Sequence, residues 1–177
     1  MMSTGPAKSA GNGGNKGSSK PMKKSAARLG AVQALYQMDL AQTPLHDILA
    51  QFQTFWLGHE VEGVQLADPD VRLFRTVVEG VLEDQRRIDP LVNKVLADNW
   101  PLSRVEAVLR AILRAGAFEL LMLDDVPARV VIAEYVNVAG AFLDRDETGM
   151  VNAVLDKLAH DLRAHEFATG LTGPGAV

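Results

Sequence analysis

From Ala27 onward, apolar residues recur three and four positions apart, and proline and aspartate punctuate the pattern. Residues 27–42 are predicted as helix one. At about 100° per residue, Ala31, Val32, Leu35, Tyr36, Met38 and Leu40 cover more than half of its circumference, which places it at the centre of a bundle. Thr43-Pro44 reads as an N-cap followed by an N1 proline and opens helix two over 44–57, with Gly58 as its stop. Residues 58–67 are expected to form a loop. Asp68-Pro69 repeats the cap-plus-proline device and opens a helix to about residue 88, and Asp89-Pro90 uses it again for a short helix to residue 97. Ser103 and Glu106 have the spacing of a capping box, predicting a helix over 104–123. Gly116 lies in its middle, where glycine costs about 1 kcal/mol against alanine and so signals a close helix–helix approach. Asp125-Val126-Pro127 turns into helix six over 127–143, and the acidic turn 144–147 leads to a last helix over 148–164. No segment alternates with period two for long enough to make a strand. The fold class is all-α, with seven helices.

The helical pattern divides the 177 residues into an arm (1–24), one domain (25–165) and a tail (166–177). The arm is built mainly of Gly, Ser, Asn, Ala and Lys. It cannot bury enough surface to offset its ordering entropy, so it is expected to be disordered, as is the Gly/Pro-containing tail. The glycine-rich stretch 11–17 has neither a preceding strand nor a closing Gly-Lys-Ser/Thr, so it does not read as a phosphate loop. With no cysteine, the chain cannot hold disulfides, thiolate metal sites or a thiol nucleophile, and the composition fits a reducing cytosol. No apolar run reaches the ~18–20 residues of a membrane span. His160 and His165 are five apart, off any shared helical face, and the 144–147 acids lack the ordered spacing of a calcium loop. Neither a catalytic constellation nor a metal or cofactor site is expected.

Charge changes the picture more than composition does. The net charge of −4 hides a split: residues 1–38 carry six basic residues and no acid, which leaves 12 basic against 22 acidic residues in 39–177. Lys20, Lys23, Lys24 and Arg28 run straight into helix one, where Gln33 and Tyr36 follow. Cations at a helix start oppose its dipole, and an anionic partner at that end would explain them. A basic arm neutralises phosphates without regard to sequence, while a tyrosine and a glutamine can stack on or hydrogen-bond to unpaired bases. The competing reading has Tyr36 in the core and the lysines merely solubilising the arm.

Three blocks carry a resemblance to one family. Arg28-x-x-Ala31-Val32-Gln33-Ala34-Leu35-Tyr36 is one. Trp100-Pro101-Leu102-Ser103-Arg104, followed by residues 111–120 (AILRAGAFEL), is the second. Asp125-Val126-Pro127, Ile132-Ala133-Glu134 and residues 151–156 (VNAVLD) form the third. In order and spacing, over about residues 27–163, they resemble the NusB family of transcription antitermination proteins. The resemblance implies a seven-helix fold of two perpendicular sub-bundles and a non-enzymatic, cytoplasmic RNA-binding factor. It implies pairing with the ribosomal protein that serves as NusE, recognition of single-stranded boxA RNA in ribosomal RNA leaders, and action within an RNA polymerase antitermination complex. It also admits a homodimer.

By matching position, Arg28, Gln33 and Tyr36 begin the implied RNA surface, with Lys20, Lys23 and Lys24 carried over as charge. Asp146, Met150 and Asn152 supply its other part, and Arg114 matches the family's central-helix arginine, as either an RNA contact or a structural ion pair. Met150 stands where the family usually has phenylalanine, and Ala133 where it usually has asparagine. The alternative function is a helical protein–protein adaptor without specific RNA binding.

Overall fold

The computed structural model describes residues 20–58, 60–61, 64–65, 70–97 and 100–168; the expectations for 1–19 and 169–177 lie outside these. In chain order the helices are α1 (Lys20–Ala41), α2 (Leu45–Gly58), α3 (Val71–Val95), α4 (Ala107–Met122), α5 (Ala128–Phe142), α6 (Arg145–Leu162) and α7 (Ala164–Phe167). Between α2 and α3, where a loop was expected, β1 (Glu60–Val61) and β2 (Val64–Gln65) pair antiparallel over two residues each. A 3₁₀ turn, Leu102–Arg104, precedes α4. Helix α4 packs against α1, α3, α5 and α6, so it is the element that all four share. Its Leu109, Ile112, Leu113, Ala115, Ala117 and Leu120 are all sealed from solvent.

Close approach to α4 depends on two glycines. A Cβ on Gly116 would stand 2.8 Å from Leu155 of α6, as the mid-helix position suggested. A Cβ on Gly80 of α3 would stand 2.1 Å from the Phe118 ring, a contact that hydrophobic spacing alone does not announce.

Several helix starts differ from expectation. Asp70 caps α3 by accepting from the Leu73 amide at 3.0 Å; the expected Asp68-Pro69 start lies outside the described residues. Pro90 begins no new helix and lies inside α3, with Ile88 and Val92 on either side of it fully buried. Burial on both flanks outweighs the hydrogen bond that the ring removes. Ser103 makes no capping box, because Leu102 and Val105 plug the core and draw residues 102–105 into a tight turn. The Arg110 guanidinium ties that turn by donating to the carbonyls of Leu102, Ser103 and Val105 and to the Asp39 carboxylate. The capping box sits instead at α6: the Asp144 carboxylate accepts from the Glu147 amide, and the Glu147 carboxylate accepts from the Asp144 amide.

The C-terminal end of α4 is closed by a residue from far along the chain. Arg163, 2% exposed, donates to the carbonyls of Glu119, Leu120 and Leu123 and to that of Val126 in the following turn. Helix ends leave four carbonyls without intrahelical partners, and this guanidinium serves two of them, Leu120 and Leu123. Glu166 then joins Arg163 to the first amide of α5, at Ala128. The Ala128 amide, and after it Arg163, hold the Glu166 carboxyl below the usual carboxylate range.

Candidate nucleic-acid interface

The first turns of α1 carry Lys20, Lys23 and Lys24, with no acid in the opening turn. Lys20 is exposed and the other two are half-buried. None of the three pairs with a carboxylate among the described residues. Their backbone is nonetheless held. The Asp70 amide donates to the Lys23 carbonyl at 2.9 Å, and the Ser25 hydroxyl donates to Glu134 Oε2 of α5 at 2.7 Å. This segment is therefore fastened to α3 on one side and α5 on the other while its charges stay uncompensated. It was expected within a disordered arm; from Lys20 it is helix.

Arg28 corrects the expectation that it contacts phosphate. It is 2% exposed, and its Nε and Nη2 donate to the two oxygens of Glu119 at 2.8 and 2.9 Å, with Glu134 at 3.6 Å. Glu119 is itself fully buried and also accepts from the Tyr135 hydroxyl at 2.7 Å. Burial opposes the charge on Arg28, but the hydrogen bond and charge of Glu119 outweigh it and raise the pKa. Burial, and then the Glu119 charge, hold the Tyr135 phenol well above its ordinary value, so it remains a donor. Arg28, Glu119, Glu134, Tyr135 and Ser25 thus form one polar strut joining α1, α4 and α5. Arg114, given two readings by its position in the sequence, is a strut as well: Nε and Nη2 meet both oxygens of Asp89 at 2.9 Å.

Gln33 and Tyr36 lie on the outer face of α1. Tyr36 is 39% exposed rather than sealed, and Leu40, one turn on, is 59% exposed. The remaining expected residues belong to α6. Asp146 and Asn152 are exposed, whereas Met150 packs half-buried against the core. Helix α5 contacts both α1 and α6, so it connects the lysine-bearing turn with the α6 residues. The bracing role of Glu134 has no local signal, because Ser25 lies 109 residues away in the chain and Arg28 nearly as far. Glu119 left a local trace, as one acid in the apolar run from Ala115 to Leu121, a setting that demands a buried counter-charge.

Among the described residues there is no helix long and apolar enough to cross a membrane, and no cluster of His, Cys, Asp or Glu able to hold a metal. Fold and site define a helical scaffold whose internal arginines are spent on bracing and which, among the described residues, gathers three uncompensated lysines at one helix start. The chain belongs to the NusB family, whose model matches residues 25–160. It is 53% identical over 155 residues to the transcription antitermination protein NusB of Rhodopseudomonas palustris strain TIE-1, covering 88% of this chain and 89% of that one. It is 55% identical over 151 residues to its namesake in Bradyrhizobium diazoefficiens, covering 85% and 92%. These relatives make it a transcription antitermination factor. Among solved structures, T. maritima NusB superposes with a TM-score of 0.66 at 27% identity, covering 81% of this chain and 95% of that one. A chain from the complex of antitermination factors NusB and NusE with double-stranded RNA shares the fold, with a TM-score of 0.64 at 20% identity, covering 77% and 96%.

Proposed function

We propose that the chain binds boxA-type single-stranded RNA of ribosomal RNA leaders jointly with ribosomal protein NusE, and that the pair assists RNA polymerase to read through terminators. It acts as a cytoplasmic, non-catalytic component of an antitermination complex. One observation carries this reading: three lysines without carboxylate partners among the described residues, on a helical turn fastened by Asp70 and Glu134. A helix start with uncompensated cations is electrostatically unfavourable in the free protein and becomes favourable against a phosphate chain. In this assignment Lys20, Lys23 and Lys24 meet phosphates, and Gln33 and Tyr36 offer a hydrogen-bonding and stacking face. Asp146, Met150 and Asn152 form the far part of the surface. Arg28 and Arg114 support it from within. The excess of acids over bases beyond residue 38 suits a basic ribosomal protein as co-partner.

Counterion release supplies the test. Each phosphate contact on a single strand contributes about 0.7 to the slope of log affinity against log salt. Replacing Lys20, Lys23 and Lys24 together by alanine is expected to flatten that slope by about two for a boxA-type RNA in the presence of NusE. An unchanged slope would remove the lysine turn from the interface.

A further inference from the structure

Helices α5 and α6 are joined by only two residues, Leu143 and Asp144, and therefore run antiparallel. On the face between them, residues four apart form two facing rows. Asn137, Ala133 and Arg129 lie along α5, and Asn152, Asp156 and His160 lie in matching order along α6. The rows flank a shallow, open groove of about 550 Å³. Eight residues of helix make it roughly 12 Å long. One end is aromatic: the His160 ring stacks on Phe167 with centroids 3.9 Å apart, and the Arg129 guanidinium lies 5.8 Å from the Phe167 centroid. At the other end, among the described residues, the carboxamides of Asn137 and Asn152 hydrogen-bond to nothing within the chain. Between the two ends stands the Asp156 carboxylate, half-exposed, with His160 Nδ1 3.6 Å away. Ala133 keeps the opposite wall low.

We propose that this groove reads unpaired bases of the bound RNA and that Asp156 selects a guanine there. The proposal rests on the RNA-binding reading above, with which it shares Asn152, and it extends that surface along α6. Aromatic platforms and carboxamides are the usual means of holding splayed-out bases. The middle position is the discriminating one. A carboxylate only accepts hydrogen bonds, and guanine alone offers it two adjacent donors, N1–H and the N2 amino group. Adenine and cytosine present a donor beside an acceptor, and uracil sets acceptors on both sides of its single donor. The same negative charge turns phosphates away, so the backbone runs along the rim with bases inward.

The test measures fluorescence anisotropy of a boxA-type RNA with its natural flanking nucleotides, in the presence of NusE, replacing each guanine in turn by inosine, which lacks the N2 amino group. One replacement is expected to weaken binding to the wild-type chain about five- to tenfold, the worth of one charge-assisted hydrogen bond. It is expected to leave Asp156→Asn and Asp156→Ala no weaker than they already are. The exposure of Asp156 makes both substitutions compatible with folding. If every inosine is felt equally by wild type and variants, the inference is overturned while the RNA-binding reading stands. If Asp156→Ala and Asn137→Ala weaken NusE binding in the absence of RNA, the groove is a protein dock and the inference is likewise overturned. If the wild-type chain fails to tell the boxA-type RNA from a scrambled one, both readings fall.

Discussion

Replacing Arg28 by methionine separates a strut from a phosphate contact. The substitution keeps an unbranched chain in a helix but leaves the Glu119 carboxylate, fully buried, with only the Tyr135 hydroxyl. Removing one partner of a buried ion pair costs about 3–5 kcal/mol, because the surviving charge has lost its compensation. Set against total stabilities of about 5–15 kcal/mol, that is a large share. For a chain of this size it corresponds to a fall of roughly 6–20 °C in melting temperature, at about 2–4 °C per kcal/mol. Urea and thermal denaturation followed by circular dichroism would measure it. Adding Glu119→Gln in the same chain removes the orphaned charge while keeping an acceptor for Tyr135. The double variant is expected to be more stable than Arg28→Met alone, and the double-mutant cycle to give a coupling well above 1 kcal/mol. At a temperature where the single variant is folded, its RNA affinity is expected to stay within about twofold of wild type, since the guanidinium never reaches the surface. Unchanged stability with a marked loss of RNA affinity would refute the strut and return Arg28 to the phosphates.

Other consequences follow from the same packing. Gly80→Ala drives a methyl into the Phe118 ring and is expected to destabilise the protein by about 1–3 kcal/mol. Gly140→Ala meets nothing within 4 Å and is expected to stabilise it by up to about 1 kcal/mol; the opposite signs are read from urea midpoints. Arg163→Ala removes the donor to Leu120 O and the second donors to Glu119 O and Leu123 O, and is expected to cost roughly 3 kcal/mol, with amide exchange accelerated in residues 123–128. The unfolded chain releases the Tyr135 proton near pH 10, and the folded chain only at higher pH. Stability is therefore expected to fall as pH rises past about 10, and Tyr135→Phe to lose that part of the slope in urea midpoints collected between pH 9 and 11.

The helices were legible because their apolar spacing is local information. Gly116 announced the α4–α6 contact for the same reason: a costly residue in a good helix needs a neighbour. Helix starts were less legible, since the Asp89-Pro90 and Ser103-x-x-Glu106 signals competed with tertiary packing. Pro90 lost to the burial of Ile88 and Val92, and Ser103 to that of Leu102 and Val105. The polar struts were the least legible. Arg28 sits in a run of cations and carries the same local signature as the lysines before it; only Glu119, 91 residues away, draws it inward. Exposure of Tyr36 was not decided by periodicity either, because its helix is apolar around most of its girth and α4 covers only part of it.

The most direct measurement compares binding of a boxA-type single strand, a scrambled strand of equal length and a duplex, each with and without NusE, by fluorescence anisotropy at physiological salt. The boxA-type strand is expected to bind at least tenfold more tightly than either control when NusE is present. Equal affinity for all three in the presence of NusE would contradict the RNA-binding reading and leave a helical adaptor that holds its protein partner without reading RNA.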